Sequence, residues 1–409
     1  MPFNYRNGVL CADEVALDEI ARRHGTPCFV YSRGSIESAY AEFRDALGGR
    51  EAMICYSVKA NSNLSVLALL ARLGAGFDIV SGGELARVIA AGGAPQRTLF
   101  SGVGKSEAEI RFALEKGIGC INLESEAELT RVNTVAEGLG RRAPVAFRVN
   151  PDIDARTHPY ISTGLRETKF GVAHADAERL YRKAAGLKGV EVIGIGCHIG
   201  SMLQDSAPFV AAAGRLLALV DRLEAEGIRL RHIDFGGGIG IRYKDEEPQP
   251  PARFVNETLH VIGKRPHTAI FDPGRSIVGN AGVLLTRVEY VKPRFLVVDA
   301  AMNDLIRPAL YGAWHEVKAV KESNAEPAVY DVVGPVCESA DFLAKGRKLA
   351  AREGDLLAIM SCGAYAMAMS SNYNSRPRAA EVLVEGGEAR LVRRRESVEE
   401  LFALERPQG

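Results

Sequence analysis

The chain has 409 residues, 47% hydrophobic and 25% charged, enough for a large core and two domains without disulfide or metal staples. With 51 basic against 51 acidic residues the formal net charge is zero, so no global field draws it to nucleic acid or an anionic membrane. The start, MPFNYRNGVL, has no basic and apolar leader, and no run of about 18 or more apolar residues occurs anywhere, so a cytoplasmic protein is expected.

CFVYS (28–32) reads as a strand that pairs into a second domain. Eight strand-like runs then follow: MICYSV (53–58), GFDIV (76–80), RTLFS (97–101), GCINL (119–123), PVAFRV (144–149), VEVIGIGCHI (190–199), LRHIDF (230–235) and HTAIF (267–271). Between them lie amphipathic stretches such as LSVLALLARL, GELARVIAAG, SEAEIRFALEKG and SEAELTRVNTVAEGLG, with serines placed to cap and glycines to stop them. Eight strand–helix units predict an α/β fold, a closed eight-stranded parallel (β/α)8 TIM-type barrel, over residues 34–279. The connection at 151–171 is long for such a barrel, a length that points to a functional loop or to disorder.

After Gly279 the pattern changes. AGVLLTRVEYVK, RFLVVDA, AVYDVVGPV, DLLAIM, AEVLVEGG and ARLVRRR predict a mainly antiparallel β-domain built from 280–409 and 1–33. The RRR at 393–395 reads as a solvated strand end. Cys11, Cys28, Cys55, Cys120, Cys197, Cys337 and Cys362 contain no C-x-x-C pair, which argues against a disulfide framework and a zinc site. Most are expected to be small buried hydrophobes; Cys337, crowded by Pro, Glu and Asp in GPVCESADF, stands apart.

In such a barrel, chemistry sits at the C-terminal strand ends. There the sequence places Lys59, Asp78, Ser101, Glu124, Arg148, Asn150, His198, Gly236 to Gly238 and Asp272 to Arg275. DFGGGIG (234–240) after strand seven, and Gly274, Arg275 and Ser276 after strand eight, fall where this fold holds phosphate. A partly desolvated Lys59 across the same mouth is a usable amine nucleophile. Amine plus phosphate points to pyridoxal 5′-phosphate, with Asp272 as partner of the pyridinium nitrogen and His198 over the ring. Asp78 and Glu124 are less specific, either supporting groups or polar layers of the barrel.

With those residues assembled, the chain resembles the diaminopimelate decarboxylase family, within the alanine-racemase-like barrel group of pyridoxal-phosphate enzymes. The resemblance spans nearly the whole chain: YSVKAN, FDIVSGGEL, FRVNPD, TGLRETKFG, CHIGS, DFGGGIG, DPGRS, DAAMNDLIRPALYGAWH, GPVCESAD and GAYAMAMSSNYNSRPR. It implies that Lys59 carries the cofactor and His198 stacks on its ring. Asp78 and Asp272 belong to the same cofactor set, while Ser201, Gly238, Gly274, Arg275, Ser276 and Tyr365 hold the phosphate end. Arg275, Arg307, Tyr311, Glu338 and Tyr365 bind substrate, and Cys337 and Glu338 enter from the other subunit of a homodimer. Cys337 is the implied proton donor. A thiol beside a carboxylate is a chemically reasonable acid, and a distal amino-acid group needs both an Arg and a Glu.

One departure stands out: the family usually has Glu before Pro-Gly-Arg, where this chain has Asp272, shorter by roughly 1.5 Å of reach. The ring-nitrogen contact is therefore expected to use a shifted cofactor or an intervening water. The implied reaction is decarboxylation of meso-2,6-diaminopimelate to L-lysine. The alternatives are an ornithine-, arginine- or carboxynorspermidine-type decarboxylase, and a cofactor-binding regulatory homologue without turnover, for which Asp272 is the one favourable feature. No metal is implied.

Overall fold

The computed structural model describes residues 2–153, 169–323 and 325–406. They divide into two compact units, one of Tyr40–Ile241 with Glu247–Ser276, the other of Met1–Ala39, Arg242–Glu246 and Ile277–Gly409.

The first unit is a closed parallel barrel. Its strands are Ala52–Ser57, Gly76–Ile79, Thr98–Phe100, Cys120–Leu123, Ala143–Asn150, Val190–Gly196, His232–Asp234 and Thr268–Phe271. Each pairs with the next in parallel, and the eighth closes on the first through Ala269 opposite Ala52 and Phe271 opposite Ile54. All eight expected strands are present, most of them trimmed at the ends. Val172–Ala173 adds a short parallel strand beside Val149 and Asn150 that the sequence did not announce.

The helices between strands form where local chemistry starts and stops them. Ser81, Ser106 and Ser125 each accept a backbone N–H three residues on, and Ser106 with Glu109 completes a capping box. The helix Leu64–Arg72 is capped by Asn63 rather than by serine. Gly92, just past the end of Gly82–Ala90, has φ of 81°, a conformation only glycine enters cheaply.

Cys55, Leu99, Cys120, Ala146, Ile193 and Ile270, from six strands, pack together as an apolar cluster. Two glycines on the sixth strand make room for side chains of the seventh. A Cβ on Gly194 would lie 2.1 Å from His232 Nε2, and one on Gly196 would lie 3.0 Å from Asp234 Cβ.

The second unit is a sheet of mixed but mainly antiparallel pairing, in the order Phe342–Leu349, Ala328–Val333, Phe295–Val298, Gly282–Lys292, Cys28–Ser32, Ala380–Glu385 and Glu388–Arg393. Cys28–Ser32 pairs into this sheet, as its sequence predicts, and lies between Gly282–Lys292 and Ala380–Glu385. Strand Phe342–Leu349, the short strand Val317–Ala319 and a three-stranded sheet within residues 3–16 were not expected from the sequence. Val30, Val283, Leu285, Ala358 and Val382 form the centre of this unit's core with Leu10, Leu17 and Ile20.

The arginine run is less free than a solvated strand end. Arg393 donates to Glu396 at 2.9 Å, Arg394 pairs with Glu400, and Arg395 donates to the carbonyl of Pro27 at 2.7 Å. Six of the seven cysteines are buried and Cys337 is exposed. Among the described residues no helix is long and apolar enough to cross a membrane. The long connection expected at 151–171 falls mostly on 154–168, outside the described residues.

Candidate active site

Lys59 sits in a single 3-10 turn, Val58–Ala60, directly after the first barrel strand. Its Nζ is 2.8 Å from Asp78 Oδ2, with the lysine side chain 35% exposed and the carboxylate 1%. Asp78 Oδ1 accepts Ser101 Oγ at 2.6 Å, and Ser101 Oγ in turn accepts Asn122 Nδ2 at 3.1 Å. Ser57 Oγ lies 3.2 Å from Asp78 Oδ2 and 3.0 Å from the Asp272 carbonyl, so its one proton serves one acceptor at a time. Burial alone pushes the Asp78 carboxyl up, but the Lys59 charge and the Lys59 and Ser101 hydrogen bonds outweigh it and hold it below its usual range. Asp78 thus stays ionised and aims the lysine amine.

Lys59 and Asp78 line a cavity of about 180 Å³ together with Arg148, His198, Asp234 and Asp272. Burial, followed by the charges of Arg148 and Lys59, pushes the His198 imidazole down to about 3, so it is neutral at physiological pH. Its Nδ1 is 3.8 Å from Asp272 Oδ1, beyond hydrogen-bond range. Asp272 Oδ1 is buried and has no hydrogen-bond partner among the described residues. Burial and then the Asp234 and Asp78 charges raise the Asp272 carboxyl well above its usual range, and burial pushes Asp234 up to about 7.

Arg148 joins this cavity to a deeper polar chain. It lies 3.4 Å from Glu124 Oε1 and stacks 4.7 Å from the Phe170 ring, while Glu124 Oε2 accepts the Gly171 N–H at 2.6 Å. Glu124 N–H donates to Glu128, which pairs at 2.8 Å with the buried Lys105.

The glycine loop and the turn after the eighth strand are packed too closely for side chains. Gly238 has φ of 90°, and a Cβ there would fall 2.0 Å from the Gly200 carbonyl oxygen. Leu203 N–H donates to Gly238 O at 3.0 Å and Gly240 N–H to Leu203 O at 2.9 Å, which sets the segment carrying Ser201 beside the loop. A Cβ on Gly274 would lie 2.9 Å from Ser57 Cβ, so the DPGRS turn rests on the turn that carries Lys59. Arg275 is buried, and Ser276 Oγ is a buried hydroxyl without a partner among the described residues.

These residues fit pyridoxal phosphate. An aimed amine answers an aldehyde, an orphaned buried carboxylate oxygen answers a protonated ring nitrogen, and an orphaned hydroxyl beside close-packed glycine backbone answers a phosphate.

The remaining candidates lie in the second unit. Arg307 is buried at the start of the short helix Arg307–Tyr311, its guanidinium 4.5 Å from the Tyr243 ring and its Nη1 2.8 Å from His315 Nε2. Tyr311 is half-buried. The CESAD turn is shaped by Asp341, whose carboxylate accepts the N–H groups of Met302 at 2.7 Å and Val336 at 2.8 Å. On it Cys337 is exposed, its N–H donating to Asn374 Oδ1 at 3.0 Å, and Glu338 accepts Tyr373 OH at 2.5 Å. Tyr365 holds a left-handed φ of 55°.

Comparison with known proteins now decides the family. The family described as "Pyridoxal-dependent decarboxylase, pyridoxal binding domain" matches residues 33–279. A diaminopimelate decarboxylase of Pseudomonas fluorescens is 60% identical over 408 residues, covering 98% of each chain. That of Vibrio cholerae is 54% identical over 409 residues, again 98% of each. The crystal structure of the Helicobacter pylori diaminopimelate decarboxylase complexed with L-lysine superposes with a TM-score of 0.92 at 43% identity, over 95% of this chain and 99% of that one. The corresponding lysine complex from M. jannaschii gives 0.95 at 35% identity, over 99% and 98%.

The chain belongs to the diaminopimelate decarboxylase family. In this family member several site groups were invisible to sequence reasoning. Ser57, at the end of a strand, bridges Asp78 and the Asp272 backbone and carries no motif of its own. Asp234 opens DFGGGIG, where the glycines drew the reading and the acid did not. Tyr243, His315, Tyr373 and Asn374 each contact a candidate residue; WH and NYN hold the last three, and Tyr243 falls in no motif.

Proposed function

We propose that this chain decarboxylates meso-2,6-diaminopimelate to L-lysine and carbon dioxide, the last step of lysine biosynthesis. It would work as a cytoplasmic homodimer, with residues 34–279 as the cofactor-binding body and 1–33 with 280–409 as the β-domain. The full-length likeness to diaminopimelate decarboxylases sets the substrate, and the Lys59–Asp78 pair beside an orphaned Asp272 oxygen is the single observation that carries the chemistry. When bound, pyridoxal phosphate supplies an electron sink for the pair left as carbon dioxide departs.

Lys59 is the side chain that holds the cofactor, and Asp78 keeps its amine oriented. Asp272 would pair with the protonated ring nitrogen through a shifted cofactor or an intervening water, and its burial would strengthen that charge-assisted contact. Neutral His198 offers a flat, uncharged face to the ring. Ser201, Gly238, Gly274, Arg275, Ser276 and Tyr365 hold the phosphate end. Arg275, Arg307, Tyr311 and Glu338 bind the substrate, and Tyr365 assists them. Cys337 returns the proton from its Sγ, entering with Glu338 from the second subunit; their exposure is what that arrangement needs.

The test loads purified protein with pyridoxal phosphate, reduces it with borohydride and maps the adduct by mass spectrometry, in parallel with assays for lysine and carbon dioxide from meso-diaminopimelate. An adduct on Lys59 with stoichiometric products is the expected result. An adduct on Lys59 without products overturns the activity, and an adduct elsewhere overturns the site.

A further inference from the structure

Arg307 is held from two sides by residues that the proposed chemistry does not use. Its guanidinium carbon lies 4.5 Å from the centre of the Tyr243 ring, and its Nη1 lies 2.8 Å from His315 Nε2. His315 is fully buried, its ring edge-on to Tyr243 at 5.2 Å. The other ring nitrogen, Nδ1, is 2.8 Å from the carbonyl oxygen of Met360.

Those two partners fix the tautomer. A carbonyl oxygen only accepts, so Nδ1 carries the hydrogen; a guanidinium only donates, so Nε2 must present its lone pair. The backbone that carries the ring is also anchored, because His315 O accepts Arg347 Nη2 at 2.9 Å and that guanidinium stacks 4.4 Å from the Trp314 ring. A neutral acceptor in this position orients an arginine without cancelling its charge. A carboxylate in the same place would orient it equally well and compete with any anion the arginine is meant to bind.

We infer that His315 and Tyr243 are positioning residues for the distal carboxylate of the substrate: the neutral imidazole fixes the rotation of the Arg307 fork, and the Tyr243 ring fixes its plane. The inference rests on the proposed reading of Arg307 as a substrate-binding residue. Decarboxylation at one centre leaves the distal amino-acid group intact, so the product L-lysine still carries the carboxylate that Arg307 would grip, whereas the diamine cadaverine does not.

The experiment compares holoenzymes carrying His315→Phe, His315→Gln, Tyr243→Phe, Tyr243→Leu and Arg307→Ala by KM, kcat and inhibition by L-lysine and by cadaverine. Loss of the acceptor in His315→Phe is expected to raise KM and the lysine inhibition constant together by roughly tenfold, with kcat changed by less than about threefold. Cadaverine inhibition stays unchanged. Gln, whose amide can accept from Arg307 and donate to Met360, restores most of the loss. Tyr243→Leu, which removes the ring, raises KM more than Tyr243→Phe, which keeps it. If His315→Phe does not fold, the Gln and Tyr243 variants carry the same comparison.

Arg307→Ala that raises KM while the His315 and Tyr243 variants do not overturns the positioning roles and leaves Arg307 standing. Arg307→Ala without effect on KM overturns both. Cadaverine inhibition that weakens in step with lysine inhibition also overturns the inference, since it would mark a general structural loss.

Discussion

Replacing Asp234 by Asn tests the electrostatics of the barrel mouth directly. Asp234 ends the seventh strand, is 6% exposed, and accepts the Gly236 N–H at 2.9 Å through Oδ1. Burial pushes its carboxyl from 3.8 up to about 7; the Gly236 bond opposes this, Asp78 adds to it, and Arg148 and Lys59 reduce it. Between those two pH values the folded chain holds a proton that the unfolded chain has released. Its contribution to stability therefore falls as pH rises through the window, and the cost is fully felt above about pH 7. At ~1.4 kcal/mol per tenfold change in proton affinity, the interval from 3.8 to about 7 is worth about 4 kcal/mol, an upper bound because Asp272 shares the same field. Asn keeps the shape and the acceptor for Gly236 and removes the charge. His198 acts with the opposite sign: its imidazole is pushed down to about 3, so its contribution is lost as pH falls from 6.5, but it is present in both proteins and cancels in the difference. Urea unfolding of the cofactor-free proteins should give equal stabilities near pH 4, with Asp234→Asn ahead by up to about 4 kcal/mol at pH 8. A stability difference that does not change with pH, or a variant that is weaker at pH 8, would refute the reasoning.

Gly238→Ala adds a methyl 2.0 Å from the Gly200 oxygen at φ of 90°, which costs about 1–2 kcal/mol for the backbone and about 1–3 kcal/mol for the overlap. Thermal melts and pyridoxal phosphate titration should both register it. Gly48→Ala, at φ of 58° with open space around the new atom, should show only the backbone part. Lys105 Nζ is buried with donors to Gly102 O, Asn122 O and Glu128 Oε1, so Lys105→Met strands the Glu128 charge and should lose about 3–5 kcal/mol in denaturant. Most of that should return in the double variant with Glu128→Gln. Asp272→Asn should lower kcat by roughly 10²–10³ while borohydride still traps the cofactor on Lys59; unchanged turnover would remove the carboxylate from its proposed part.

The barrel was legible because each of its units carries its own instructions. A β-branched or apolar run, a capping serine and a stopping glycine recur at short range, and the capping contacts at Ser81, Ser106 and Ser125 are made within three residues. Where structure depends on distant partners, the sequence is quiet. FLAKGRKL (342–349) puts Lys345, Gly346 and Arg347 in the middle of a strand and so breaks the alternation. It is a strand because Ala328–Val333 pairs with it, through a register that shifts twice. The short strands within residues 3–16 are likewise held by tertiary bonds, such as Leu10 N–H to Val320 O at 2.7 Å.

The site divides along the same line. Lys59, Asp78, His198 and Asp272 were readable because the fold predicts where strand ends meet, and a charged residue there is conspicuous. What each does there depends on contacts across the barrel. Asp78 alone reads as a generic polar group. It becomes an aiming device only when Ser57 and Lys59, from the end of the first strand, and Ser101, from the end of the third, converge on its two oxygens. Asp234 is the sharper case. Three carboxylates line one small cavity against two cations, Lys59 and Arg148, and burial settles the imbalance unequally, leaving Asp78 charged while Asp234 and Asp272 hold their protons more tightly. That inequality follows from which carboxylate the lysine reaches, a distance that separates residues 19 apart in sequence by 2.8 Å in space. The cationic ring nitrogen proposed to meet Asp272 would supply the missing positive charge, so the barrel mouth is electrostatically incomplete in a way that its cofactor completes.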